Sequence, residues 1–180
     1  NHFSYRGARA LYKFVLRKTE KVFFQNKSDM NLFVEKKFVP AHKAVKIPGS
    51  GVDYEYYKPI EVKKGNSRVV FWGISRLIKD KGIIEYVEAA RILKRQLPDA
   101  EFKVLGSLWT QNLKTNIVTS TELNSWITEG IINYLGSADD VRPFIASSDC
   151  IVLPSYREGM SNVLLEAGSM MKPCITCDTP

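Results

Sequence analysis

Cys150-Ile151-Val152-Leu153-Pro154-Ser155-Tyr156-Arg157-Glu158-Gly159-Met160-Ser161-Asn162-Val163-Leu164-Leu165-Glu166-Ala167 spells a strand, a break, a loop and the start of a helix. Glu158 falls in the loop after the strand. Glu166 falls about two turns into the next helix, at ~1.5 Å of rise per residue. In an open α/β sheet, ligands bind in the crevice outside the carboxyl ends of the strands. Gly159 lets backbone come close to a ligand there, and the helix N-terminus offers N–H groups to an anion. Glu158 can accept hydrogen bonds from sugar hydroxyls, and Glu166 from a ribose diol. The free N–H groups near Met160, Ser161 and Asn162 can face a diphosphate. Hydrogen bonds to a charged acceptor contribute roughly 1.5–3 kcal/mol each. The shape suits a nucleotide sugar laid across a helix N-terminus.

The same alternation extends backwards from this stretch. Strands are expected at 68–72, 101–105, 131–135, 150–153 and 174–177, with helices at 80–96, 121–129, 139–147 and 161–171. Pro98 stops the first of these helices. Strands alternating with helices imply βαβ units, a parallel sheet and right-handed crossovers. The strands are apolar with little polar alternation, as expected when both faces are covered. The predicted fold class is therefore α/β, a Rossmann-like parallel sheet with helices on both faces. Upstream, residues 6–21 read as a basic amphipathic helix and Val22–Gln25 as a short strand. Asn26 begins a helix cap, 29–37 a second helix, and 45–48 a short extended piece. Gly49-Ser50-Gly51-Val52-Asp53 is a glycine-rich turn, followed by a polar, tyrosine-bearing stretch to Asn66. The expected organisation is 1–45 as the end of one domain, 46–66 as a linker, and 67–180 as a second domain.

After the strand at 68–72 comes Gly73-Ile74-Ser75-Arg76-Leu77-Ile78-Lys79-Asp80-Lys81-Gly82. Arg76 and Lys81 lie in the strand-to-helix loop at the carboxyl edge of the sheet. Arg can grip a phosphate with two parallel hydrogen bonds, and Lys supplies a point charge. Alone, such a pair is what solvated loops often carry. With the glutamate loop on the same edge, two cations and two carboxylates suit one ligand: a diphosphate flanked by polyols.

Composition sets the limits. Hydrophobic content of 44% and charged content of 25% are those of an ordinary soluble globular chain. No run of eighteen apolar residues and no signal peptide are visible. The chain begins at Asn1 without a methionine and ends at Pro180 just after an expected strand, which reads as a fragment cut at both ends. Net charge is +7, and residues 1–64 hold 14 Lys and Arg against 6 Asp and Glu. That basic first third suits peripheral contact with an anionic membrane surface, or packing of the first helix on a further domain. No nucleic-acid-binding motif accompanies it, so nucleic acid is not an expected partner. Cys150, Cys174 and Cys177 are too few for a disulfide framework, and Cys174 and Cys177 point to opposite faces of a strand. They are expected to be buried and reduced, as in a cytosolic protein. His2 and His42 lie far off, so no metal site is expected.

Together these segments resemble a known family. Glu158-Gly159-Met160-Ser161-Asn162-Val163-Leu164-Leu165-Glu166-Ala167 resembles the E-x7-E signature of the family 4 retaining glycosyltransferases, which adopt the two-domain GT-B fold. Gly73, Arg76, Leu77, Lys81 and Gly82 resemble that family's diphosphate loop. Ile47-Pro48-Gly49-Ser50-Gly51-Val52-Asp53 resembles its interdomain linker, although Asn-Gly-Val-Asp is commoner there. Asp149–Ser155 resembles its strand before the signature. The resemblance implies a C-terminal donor domain and a transfer of sugar, with retention, from a nucleotide-diphosphate-sugar, most often a UDP-sugar, to a glycan or lipid-linked acceptor. It implies catalytic roles for Glu158, Arg76 and Lys81. Donor contacts would come from Arg76, Lys81, Glu158, Gly159, Met160, Ser161, Asn162 and Glu166. No cofactor or metal is implied. The expected setting is the cytoplasm, and the basic first third is compatible with work at the inner face of a membrane. The acceptor surface would lie in a first domain largely outside this chain, so the fragment is expected to bind donor weakly without transferring sugar.

Two other readings stand beside this one. A GT-B-like sugar-nucleotide epimerase would favour a histidine-rich cleft, and two histidines are few for that. A non-catalytic nucleotide-sugar-binding module would leave Glu158 and Glu166 as surface acids. A nicotinamide dehydrogenase is disfavoured, because no Gly-x-Gly-x-x-Gly follows the 68–72 strand.

Overall fold

The computed structural model describes residues 2–62, 68–108 and 116–179, with side chains from Arg6 onward. Two units divide it: one runs to Gly51 and includes Glu158–Met160, the other holds Val52–Arg157 and Ser161–Thr179.

In the first unit, α1 (His2–Leu16) leads through β1 (Val22–Phe24), α2 (Lys27–Glu35) and a 3-10 turn (Ala41–Lys43) to β2 (Ala44–Lys46). β1 and β2 pair in parallel, Val22 opposite Ala44. The first helix ends at Leu16 rather than 21. The Thr19 hydroxyl donates to Leu16 O at 2.9 Å, and Lys43 Nζ donates to Arg17 O and Thr19 O, so side chains take over the last carbonyls. α2 begins two residues earlier than expected because Asn26 is itself the N-cap. Its Oδ1 accepts the Asp29 N–H at 2.6 Å. Tyr12, Phe24 and Phe38 meet the Phe33 ring edge-on at 5.3–5.4 Å. Leu11, Phe14 and Val15 of α1 remain exposed at 63%, 70% and 51%.

The second unit contains β3 (Val70–Ile74), a 3-10 turn (Lys79–Lys81), α3 (Ile83–Gln96), β4 (Glu101–Leu105), α4 (Ser120–Thr128) and β5 (Asn133–Tyr134). It continues with α5 (Arg142–Ser147), β6 (Cys150–Leu153), α6 (Asn162–Ser169) and β7 (Cys174–Thr176). All five strands run parallel in the order β5-β4-β3-β6-β7. Each face of the sheet has its own core. Tyr86, Val87 and Ala90 of α3 and Leu123 and Trp126 of α4 cover Phe102 and Val104 on one side. Ile145 and Ala146 of α5 and Ala167 of α6 cover Val70, Trp72 and Ile151 on the other. This is the expected doubly covered α/β sheet.

Several boundaries move for identifiable reasons. The expected helix at 80–96 is split by Gly82, whose φ of +72° is left-handed, into a 3-10 turn and α3. β5 is short because the turn after α4 runs through Gly130 (φ +68°) and sends the Ile131 N–H to Trp126 O at 3.0 Å. α5 starts at Arg142, since the Asp140 carboxylate takes the Arg142 N–H at 3.0 Å. Cys174 and Cys177 are exposed, against the expectation of burial, because β7 is an edge strand; Cys150 is buried. Among the described residues, no helix is long and apolar enough to cross a membrane.

Candidate functional site

The chain runs from β3 outward to β4 and β5, then crosses back to lay β6 and β7 on the other side of β3. The order therefore reverses between β3 and β6. A crevice opens outside the carboxyl ends of strands at such a switch point. Two segments of the second unit follow the strands that meet at this point. One is Ser75–Gly82 after β3, the other Pro154–Arg157 after β6.

Those segments are locked to each other. The Tyr156 N–H donates to Asp80 O at 2.9 Å, and the Tyr156 hydroxyl donates to the Glu85 carboxylate. A Cβ built on Gly82 would stand 2.0 Å from Pro154 O, so only glycine allows this approach. On the other flank the Ser75 N–H donates to Leu105 O at 3.0 Å, and the Leu77 N–H to Ser107 O at 3.1 Å. Leu77 and Ile78 are buried, while Arg76 between them and Ser75 is exposed and Lys81 half-buried. The apolar neighbours anchor the segment, and the cations stay at its surface.

α6 presents its N-terminus at the same edge. Ser161, buried, is its N-cap and makes no side-chain capping bond; Asn162 is exposed. Glu166 is the fifth residue of α6, one turn in rather than two, because the helix starts only at Asn162. It is half-buried. Burial raises its carboxyl above the usual range, and a hydrogen bond from the Tyr57 hydroxyl pulls it part of the way back. Tyr57 is itself pushed up to about 12, first by burial and then by the Glu166 charge. Sequence reasoning did not single out Tyr57. Its only signal was its place in the tyrosine-bearing stretch after Gly51-Val52-Asp53.

The second unit thus brings Arg76, Lys81, Ser161, Asn162 and Glu166 to one edge. Glu158, Gly159 and Met160 group with the first unit. There the Asn26 Nδ2 donates to Glu158 O at 3.4 Å, and the Met160 N–H donates to Gln25 Oε1 at 3.3 Å. The Met160 amide is therefore taken by a side chain, which corrects the expectation that it is free. Among the described residues, no group of three His, Cys, Asp or Glu side chains could hold a metal ion.

A five-stranded parallel sheet covered by helices on both faces, its strand order reversing between β3 and β6, defines an open α/β domain of the Rossmann-like class. Residues 66–180 match the family described as glycosyl transferases group 1, and this chain belongs to that family. A UDP-Gal:alpha-D-GlcNAc-diphosphoundecaprenol alpha-1,3-galactosyltransferase of Escherichia coli is 28% identical over 187 residues, covering 94% of this chain and 46% of that enzyme. An N,N'-diacetylbacillosaminyl-diphospho-undecaprenol alpha-1,3-N-acetylgalactosaminyltransferase of Campylobacter jejuni is 26% identical over 181 residues, covering 94% and 45%. Anabaena Alr3699/HepE, solved in complex with UDP, superposes with a TM-score of 0.77 at 20% identity, covering 99% of this chain and 50% of that one. The chain spans about half the length of these relatives.

Proposed function

We propose that the intact protein is a retaining glycosyltransferase that takes a sugar from a nucleotide-diphosphate donor, a UDP-sugar, and passes it to a lipid-linked acceptor. The observation that carries this reading is the placement of Arg76, Lys81, the α6 N-terminus and Glu166 along one edge of the β3–β6 switch point. The diphosphate lies against the guanidinium, the ammonium and the helix terminus. As the bond from the anomeric carbon to the phosphate oxygen breaks, negative charge collects on the departing diphosphate. Fixed positive groups aimed there stabilise that charge more than the ground state, which lowers the barrier. They also let the site work without a metal. Glu166 accepts from the ribose hydroxyls, and Glu158 from hydroxyls of the transferred sugar. Gly159 and the amides of Met160, Ser161 and Asn162 line the sugar and phosphate oxygens. The Met160 amide gives up Gln25 when it does so.

The names of the Escherichia coli and Campylobacter relatives describe diphosphoundecaprenol-linked acceptors, which supports a lipid-linked acceptor here. The basic first third, with Leu11, Phe14 and Val15 exposed on α1, suits peripheral work at the cytoplasmic face of a membrane. The 180-residue chain alone is proposed to bind nucleotide without transferring sugar.

Calorimetric titration with uridine diphosphate, chelator present, tests the site. Arg76→Ala and Glu166→Ala should each weaken binding at least tenfold, on the order of one charge-assisted hydrogen bond. Both variants binding like the parent would remove the diphosphate and ribose from where they are placed here.

A further inference from the structure

Tyr57, which acts on the Glu166 carboxyl, is itself held on several sides. The Asp53 Oδ1 accepts the N–H groups of Glu55 at 3.1 Å and Tyr56 at 3.0 Å, and the Tyr57 N–H donates to Asp53 O at 2.9 Å. This triply closed turn fixes the backbone at Tyr57. The Tyr57 ring packs on the core that contains Trp72, Met170 and Ala167, the residue next to Glu166 on α6. Tyr56 meets it edge-on, ring centroids 5.1 Å apart and planes at 79°. The Arg142 guanidinium lies 3.7 Å over the centroid of Tyr56, and its Nη1 donates to Tyr56 O at 3.4 Å. Arg142 is in turn gripped by both oxygens of Asp140, at 2.9 and 2.7 Å. All of these groups belong to the second unit.

We infer that Tyr57 is a positioning residue for donor binding: its hydroxyl, braced by the Asp53 turn and the Arg142–Tyr56 stack, holds the Glu166 carboxylate ready for the ribose diol. The inference rests on the reading of Glu166 as the ribose acceptor. An ionised carboxylate has about four acceptor positions, so Tyr57 occupies one and leaves room for both ribose hydroxyls. Ordering a flexible glutamate before the ligand arrives corresponds to roughly two- to tenfold in affinity. The same hydrogen bond favours the ionised form of a carboxyl that burial pushes toward protonation. Among the described side chains, Tyr57 is the titratable group acting on Glu166. Tyr56 faces Tyr57 from the adjacent chain position, and Asp140 and Arg142 face it from the start of α5. Lys172, beyond the end of α6, donates to Ala146 O and Ser148 O.

The test uses the intact protein, as parent, Tyr57→Phe and Glu166→Gln. Binding of uridine diphosphate and 2'-deoxyuridine diphosphate is measured across the acid range, and the Glu166 carboxyl is titrated by carbon-13 NMR without nucleotide. Tyr57→Phe should weaken uridine diphosphate roughly two- to tenfold, and the deoxy compound less. Its Glu166 midpoint should move to higher pH, taking the acid limb of nucleotide binding with it. An unchanged Glu166 midpoint, or an equal loss for both nucleotides at every pH, would overturn the inference and leave Tyr57 a packing residue. Glu166→Gln binding like the parent would instead overturn the ribose reading, and the inference with it.

Discussion

Glu166 joins the binding role proposed for it to a stability cost within one side chain. Its carboxyl is raised by burial, so the folded state binds that proton more tightly than the unfolded chain. It therefore favours folding at low pH, where it is neutral, and that contribution is lost as pH rises through the raised value. A glutamine there is neutral at every pH. Glu166→Gln should match the parent in urea midpoint near about pH 4 and exceed it near about pH 8, straddling the usual glutamate value. The same variant should lose nucleotide affinity. Equal midpoints for both proteins across that range would show that burial does not penalise the charged carboxylate.

The elements at the switch point depend on close backbone approaches and local caps. Gly82→Ala would drive a Cβ into Pro154 O while requiring a left-handed alanine. A cost of at least about 1–3 kcal/mol is expected from the strained backbone alone, together with weaker nucleotide binding as the two segments part. An alanine variant as stable as the parent in a denaturant titration would mean that the approach is loose. On the far side, α4 opens with a capping box: the Thr119 Oγ1 accepts the Glu122 N–H at 3.1 Å, and Glu122 accepts from the Thr119 N–H at 2.8 Å. Those bonds, with Lys79 beside it, hold the Glu122 carboxyl below its ordinary range. Its contribution is present above that range and fades as pH falls through the lowered value. Thr119→Ala should cost about 1 kcal/mol at neutral pH and less in acid; a pH-independent loss would argue against the box. Much of this level was legible beforehand. Glu101–Leu105 is legible to the residue because Pro98 and Gly106 bracket a run in which Phe102, Val104 and Leu105 are apolar. Helix starts were misplaced where a single side chain or dihedral decides them, as at Asn26, Gly82 and Asp140. Glu166 was chosen from its spacing to Glu158. Tyr57 was not, because a hydrogen bond between residues far apart in the chain leaves no periodic trace. Nor could spacing show that Gln25 would occupy the Met160 amide.

For the whole molecule, charge is the dominant asymmetry, with the excess of Lys and Arg confined to residues 1–64. The intact protein should float with anionic vesicles at low salt and release them as salt rises, since the screening length is only ~10 Å at 0.1 M. Replacing Lys13 and Arg17 by Glu should weaken that binding, and equal flotation with neutral vesicles would remove the electrostatic explanation. The sheet order has a consequence in time as well as in space. β3, β4 and β5 are neighbours in sequence and can pair as soon as they leave the ribosome. The β3–β6 seam joins distant parts of the chain: the Val70 N–H donates to the Asp149 carboxylate at 2.9 Å across 79 positions of sequence. Closing so long a loop is slow relative to local pairing. Pulse-labelled hydrogen exchange should therefore protect β3 and β4 amides before those of β6, and simultaneous protection would contradict this order. A growing chain would then carry most of its sheet before its two halves meet at the switch point, and the nucleotide proposed to bind there could act only on the finished domain, stabilising what has folded without guiding how it folds.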